Sequence, residues 1–200
     1  MGPFLESEPD NYKYIISIVC QFSGWPESYP TRTKSAEEVA RILLNEFIPR
    51  HSTPYVLQSD NGTEFVNAVV DKLSANLGIC RITSTPYQPS SNGAAERFNR
   101  VLKYHLRMRV APHQRDWPTH LPACLLAYRV SVHETTRFSP FFITTGRDPV
   151  LAFDTLLKPK LKYAGEDFVT IQLQRLHEAF TLMREYAKDD RERRLSLIHI

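Results

Sequence analysis

"PYVLQSDNGTEFVNAVVDKLSANLGICRIT" (54–83) reads as strand, helix, strand. The first strand, "PYVLQS", runs straight into Asp60, then Asn61-Gly62, then Glu64. A carboxylate at the end of a buried strand is costly unless hydrogen bonds or a cation keep it charged. Asn-Gly is also a common turn dipeptide. Asp60 is therefore either a turn residue or a metal ligand. "FVNAVVDKLSANLG" (65–78) puts Phe65, Val69, Leu73 and Leu77 on one helical face, with Gly78 closing the helix. "ICRIT" (79–83) is the next strand.

Upstream, "YKYIISIVCQF" (12–22) is rich in Ile, Val and aromatics and reads as a buried strand. Asp10-Asn11 marks a turn from a preceding strand, "GPFLE" (2–6). "WPESYP" (25–30) is fenced by prolines, which suits an edge strand. "SAEE" (35–38) is a capping box, followed by Val39, Ile42, Leu43 and Phe47 at helical spacing, with a stop before Pro49. Downstream, "STPYQPSSNG" (84–93) is a loop. "AAERFNRVLKYHLRMRV" (94–110) is a long helix ending before Pro112, and another starts near Asp116-Trp117-Pro118. Strands cluster early and helices alternate with later ones, an α/β pattern with a mixed sheet.

Residues 1–150 are read as one domain, 151–165 as a linker and 166–194 as one helix. Val169, Leu173, Leu176, Phe180 and Met183 give that helix a heptad-like seam too short to argue a coiled coil, so packing on its own domain is the stronger reading. The last six residues, "LSLIHI", break the charged pattern and are left unassigned.

The net charge is only +3, but six basic residues (Arg97, Arg100, Lys103, Arg107, Arg109, Arg115) fall in 97–115 with no acid among them. Such a stretch is an electrostatic footprint for nucleic acid. No run is apolar enough to span a bilayer, and the start lacks the basic and apolar parts of a signal peptide. The three cysteines are far apart, which argues against a disulfide framework or zinc site and for a reducing compartment.

Glu96 sits early in the long helix, with 35 residues between it and Asp60. Arg100, Lys103 and Arg107 project from the same face as Glu96. Two carboxylates suit Mg²⁺ or Mn²⁺, and a neighbouring cation ladder suits phosphates. Phosphodiester chemistry needs both.

"SDNGTEF", "TPYQPSSNGAAERFNRVLK" and "AYRVSVHETTRFSPFFITTGRDP" together resemble the integrase catalytic core of long-terminal-repeat retrotransposons, the Ty3/gypsy type closest. The resemblance runs from about Gly2 to about Leu157. It implies a ribonuclease-H-like fold, a five-stranded mixed sheet flanked by helices, and a two-metal site of three acids. It implies 3′-end processing of element DNA and strand transfer into target DNA, in the nucleus, by a homo-oligomer. Asp60 resembles the second acid and Glu96 the third. Asn92 matches a position beside the substrate DNA, Tyr87 and Gln88 a loop reaching the DNA end, and Lys103 and Arg100 phosphate-facing helix positions. Arg97 follows the third acid and packs or pairs structurally.

The family's first acid lies just upstream of a Gly-Pro pair that Gly2-Pro3 matches, which places it before Met1. Asp10, in the turn after that strand, is no substitute. Relatives tend to carry Asp where this chain has Cys20. The family's N-terminal His/His/Cys/Cys zinc module and C-terminal domain are also outside the sequence. Glu64 is either a further carboxylate at the site or a first-turn acid suited to the helix dipole. Trp25 and Trp117 are read as core. Three functions compete: an integrase core, a non-catalytic DNA-binding remnant, and a protein-interaction scaffold.

Overall fold

The computed structural model describes residues 1–83, 93–110, 112–133, 136–156 and 167–197. They form two compact units. One comprises Met1–Val19 and Pro26–Leu125; the other comprises Cys20–Trp25 and the chain from Leu126 onwards.

The first unit is built on β1 (Tyr14–Val19), whose β-branched run favours an extended backbone. β1 pairs antiparallel with β2 (Pro26–Thr31), with Tyr14 opposite Thr31 and Val19 opposite Pro26. The first residues lie along β1 as well. Met1 and Ile15 exchange hydrogen bonds of 2.8 and 2.9 Å, and the Phe4 amide donates to the Lys13 carbonyl at 2.8 Å. The turn that follows is closed on Ser7 and passes through Asn11 at positive φ, where the Asp10-Asn11 turn was expected.

α1 (Ala36–Ile42) starts on Ser35, whose hydroxyl accepts the Glu38 amide at 3.3 Å. The reciprocal half of the expected capping box does not form, because both Glu38 oxygens are taken by Arg41 at 2.9 and 3.0 Å. The helix also does not stop before Pro49. It loosens into a π-helical turn (Leu43–Phe47) and continues as α2 (Ile48–His51), with Pro49 in that first turn. A proline at the start of a helical segment forfeits no needed hydrogen bond, and the wider turn removes the clash a straight α-helix would suffer.

β3 (Val56–Ser59) and β4 (Cys80–Thr83) pair in parallel, joined through α3 (Ala68–Asn76). α3 begins at Asn67, whose side-chain oxygen accepts the Val69 and Val70 amides at 3.0 and 3.1 Å. This late start turns the helix by one position. Val70 is fully buried while Val69, expected in the core, is 41 % exposed. Gly78, at φ +67°, lets the chain close the helix: its amide reaches Ala75 at 3.2 Å and the Ile79 amide reaches Ser74 at 2.8 Å.

Ile16, Tyr29, Val39, Ile42, Leu43 and Val70 form one core cluster, with Leu57, Phe65 and Leu73 against it. On β1, Ile15 faces the other way and is also fully buried. α4 (Gly93–Arg109) lies against β1 and buries Phe98, Leu102 and Leu106, one side of a helix at four-residue spacing. α5 (Trp117–Val130) starts where Asp116 accepts from Thr119, and buries Trp117, Leu121, Cys124 and Leu125. Trp117 stacks on Phe4 at 5.1 Å and donates to the Leu5 carbonyl at 3.0 Å.

The expected five-stranded sheet is not what the described residues form. They make two two-stranded sheets, β1–β2 and β3–β4. The Met1–Phe4 segment hydrogen-bonds to Lys13 and Ile15, and Pro3 within it has no amide to donate.

In the second unit, α6 (Pro140–Thr145) is capped by Ser139 and buries Phe142 and Ile143. α7 (Ala152–Leu156) follows, and α8 (Asp167–Leu197) is the long helix. Residues 157–166, most of the expected linker, lie outside the described residues. The seam of α8 divides. Val169 and Leu173 are exposed, whereas Ala179 and Met183 are buried, Phe180 meets Phe22 edge-on at 5.2 Å, and Leu176 closes on Gly146. Arg175 grips Asp148 through both its terminal nitrogens, at 2.8 and 3.1 Å, over the Phe142 ring. Trp25, expected in the core, is half-buried beneath Arg129 at 4.4 Å.

Two substitutions separate backbone strain from packing. Gly78→Ala meets no neighbour within 4 Å, so it costs only the conformational penalty, about 1 kcal/mol. Phe98→Ala opens a void at a fully buried site and costs about 3–5 kcal/mol. Urea unfolding with unchanged slope checks both.

Candidate functional site

β3 ends at Ser59 and delivers an exposed Asp60. One Asp60 oxygen, Oδ1, accepts the Gly62 amide at 3.1 Å, so the turn reading is correct as geometry. The Gly62 carbonyl then accepts both the Phe65 and Val66 amides at 2.9 Å. The Asn67 side chain donates back to Thr63 and Glu64 at 3.1 and 2.9 Å. The segment is thus a closed hydrogen-bonded turn that leads into α3.

Gly62 is where the acids meet. A β-carbon built on it would lie 2.9 Å from Glu64 Oε2 and 3.1 Å from Asp60 Oδ1. The two carboxylates therefore flank a space that only the absent side chain leaves open. Sequence reasoning gave Glu64 the lesser weight. The two-residue spacing either side of a glycine was the available signal.

Glu96 is exposed in the first turn of α4, and Arg100, Lys103 and Arg107 follow it on the exposed side, away from Phe98, Leu102 and Leu106. Arg97 folds back, its Nη1 3.4 Å from where a Gly93 β-carbon would be. Tyr87, Gln88 and Asn92 lie outside the described residues.

Burial holds the Met1 amino group's pKa below the usual value, Lys34 and Lys103 push the same way, and Glu64 and Asp60 oppose them. Among the described residues, no three His, Cys, Asp or Glu side chains gather closely enough to hold a metal ion. The structure brings Asp60 and Glu64 together and does not gather Glu96 into a three-carboxylate group with them.

Residues 2–89 match the family model described as "Integrase core domain". The Gag-Pol polyprotein of Feline leukemia virus is 38 % identical over 158 residues, which is 76 % of this chain and 9 % of that polyprotein. The chain therefore spans under a tenth of that relative's length. A crystal structure of the catalytic core of BIV integrase matches with a TM-score of 0.54 and 28 % identity, covering 67 % of this chain and 86 % of that one. The HTLV-2 integrase core in complex with magnesium, in a trimeric form, matches in fold with a TM-score of 0.53 and 18 % identity, covering 70 % and 90 %. These relatives are retroviral, of the same superfamily as the Ty3/gypsy elements. The chain belongs to the integrase core family, within the retroviral integrase superfamily.

Proposed function

We propose that this chain is the catalytic core of a retroelement integrase, which processes the 3′ ends of element DNA and joins them to target DNA. The carrying observation is the integrase core match over residues 2–89 on a chain whose β3 ends in the turn-held Asp60 and whose α4 turns Glu96, Arg100 and Lys103 outward. Carboxylate and cation side by side is what a phosphodiester and its metal require.

The donors suit a hard divalent cation. They are carboxylate oxygens, and Gly62 leaves open the space between two of them. Mg²⁺ or Mn²⁺ held by Asp60 and Glu96, when bound, supplies Lewis acidity at the attacking and leaving oxygens. The remaining work falls to the chain. The acidic turn fixes Asp60 at the strand end. α4 anchors on Phe98, Leu102 and Leu106 while Arg100 and Lys103 hold DNA phosphates. Tyr87, Gln88 and Asn92 contact the DNA end. An acid preceding Met1 in a longer chain would enter beside Asp60 and complete the triad.

Further parts of this reading rest on the family. A five-stranded mixed sheet is the family's arrangement, of which β1–β2 and β3–β4 are the described parts. Residues 151–165 join the 1–150 core to the helical tail. The core works as a homo-oligomer in the nucleus, where its DNA substrates are; the trimeric HTLV-2 core supports the first of these. No helix among the described residues is long and apolar enough to cross a membrane. A second reading, a DNA-binding remnant without catalysis, is favoured by one observation: no three potential ligands gather among the described residues.

Two measurements decide between them. In a chain extended through the upstream acid, Glu96→Gln lowers strand transfer by roughly a hundredfold or more. Undiminished transfer would remove Glu96 from the mechanism. Lys103→Ala weakens DNA binding regardless of sequence and reduces the slope of log affinity against log salt by about one. An unchanged slope would show that Lys103 touches no phosphate.

A further inference from the structure

We infer that Arg81 is a positioning residue for the acidic turn, setting the orientation of the Asp60 carboxylate from the neighbouring strand. The inference rests on the metal-site reading above. Arg81 lies in β4, in register with Leu57 of β3. Its side chain is only 12 % exposed. Nη2 donates to the Phe65 carbonyl at 2.6 Å, Nη1 pairs with Asp71 in the first turn of α3, and Nε is buried without a protein partner.

Stability does not explain this residue. Its charge partner among the described residues, Asp71, is 61 % exposed, and an ion pair with so open a partner contributes little. An apolar side chain would fill the same place without burying a guanidinium or stranding Nε. What arginine adds is a planar fork that grips two acceptors at once. One of them starts a chain of contacts through the backbone of the turn. Arg81 donates to the carbonyl of Phe65, the amide of Phe65 donates to the carbonyl of Gly62, and the amide of Gly62 donates to Oδ1 of Asp60. The carbonyl and amide of one residue belong to different peptide groups, so what passes along this chain is position: Arg81 holds Phe65, Phe65 holds Gly62, and Gly62 holds the Asp60 carboxylate. Arg81 thereby ties the turn to β4.

The test uses the intact chain with Arg81→Met, Arg81→Lys and Asp71→Asn. Hydrogen exchange is read at the Gly62, Phe65 and Val66 amides, and Mn²⁺ affinity by electron paramagnetic resonance. In Arg81→Met those amides exchange about tenfold or more faster, and Mn²⁺ binds several-fold more weakly. Asp71→Asn, which spares the Phe65 bond, leaves both near the parent values. Unchanged exchange in Arg81→Met overturns the inference. So does an equal effect in Asp71→Asn, which would make Arg81 a tie to α3 alone. If Arg81→Met does not fold, Arg81→Lys carries the test: it keeps the charge but loses the fork, so its exchange quickens, and unchanged exchange again overturns the inference. Equal Mn²⁺ binding by the parent and Asp60→Asn would sink the metal-site reading instead, leaving the exchange data to judge Arg81.

Discussion

Ile15 and Ile16 are neighbours on one strand, face opposite ways, and are both buried. Successive strand residues alternate sides, so β1 must be covered on both faces. That constraint organises the first unit. Ile16 joins the cluster with Val39, Ile42, Leu43 and Val70, which fixes α1 and α3 on one side. α4 lies against β1 on its own apolar stripe. Each fully buried side chain of this kind contributes about 1.5–3 kcal/mol, so losing cover on either side removes several such terms together. The functional consequence is placement. A helix that must bury Phe98, Leu102 and Leu106 has no choice but to turn Glu96, Arg100 and Lys103 outward.

How much of this was readable from the sequence depended on whether one residue or a partner set the outcome. The Ile-rich run of β1, the outward cation ladder of α4 and the Gly78 closure follow from local composition and period, and the structure contains all three. Pro49 misled because a local rule met a non-local accommodation: the π-helical turn before it is invisible to periodicity. Val69 misled for a related reason. The helical period was right, but the helix starts at the Asn67 cap, two residues later than the apolar pattern suggested, and Val70 takes the core position. Glu38 was read as a capping partner, and a stronger charge-assisted pair with Arg41 outcompetes it.

At the site, the two readings of Asp60 proved compatible. A hydrogen bond from the Gly62 amide occupies one lone pair of Oδ1, and a carboxylate has several more. The turn orients the group, and the orientation is what a ligand needs. The motif was legible as a type, whereas the contribution of Arg81 was not, because nothing in "ICRIT" signals that one guanidinium reaches a carbonyl sixteen residues earlier in the chain.

Gly62 completes the logic of the turn. Its usefulness is steric as much as conformational: any side chain there would sit within about 3 Å of both carboxylates and drive them apart. The surrounding hydrogen bonds, from Asn67 to Thr63 and Glu64 and from the Phe65 and Val66 amides to Gly62, hold the backbone of the turn in place. Gly62 thus serves the backbone of the turn and at the same time leaves open the space beside the Asp60 and Glu64 carboxylates.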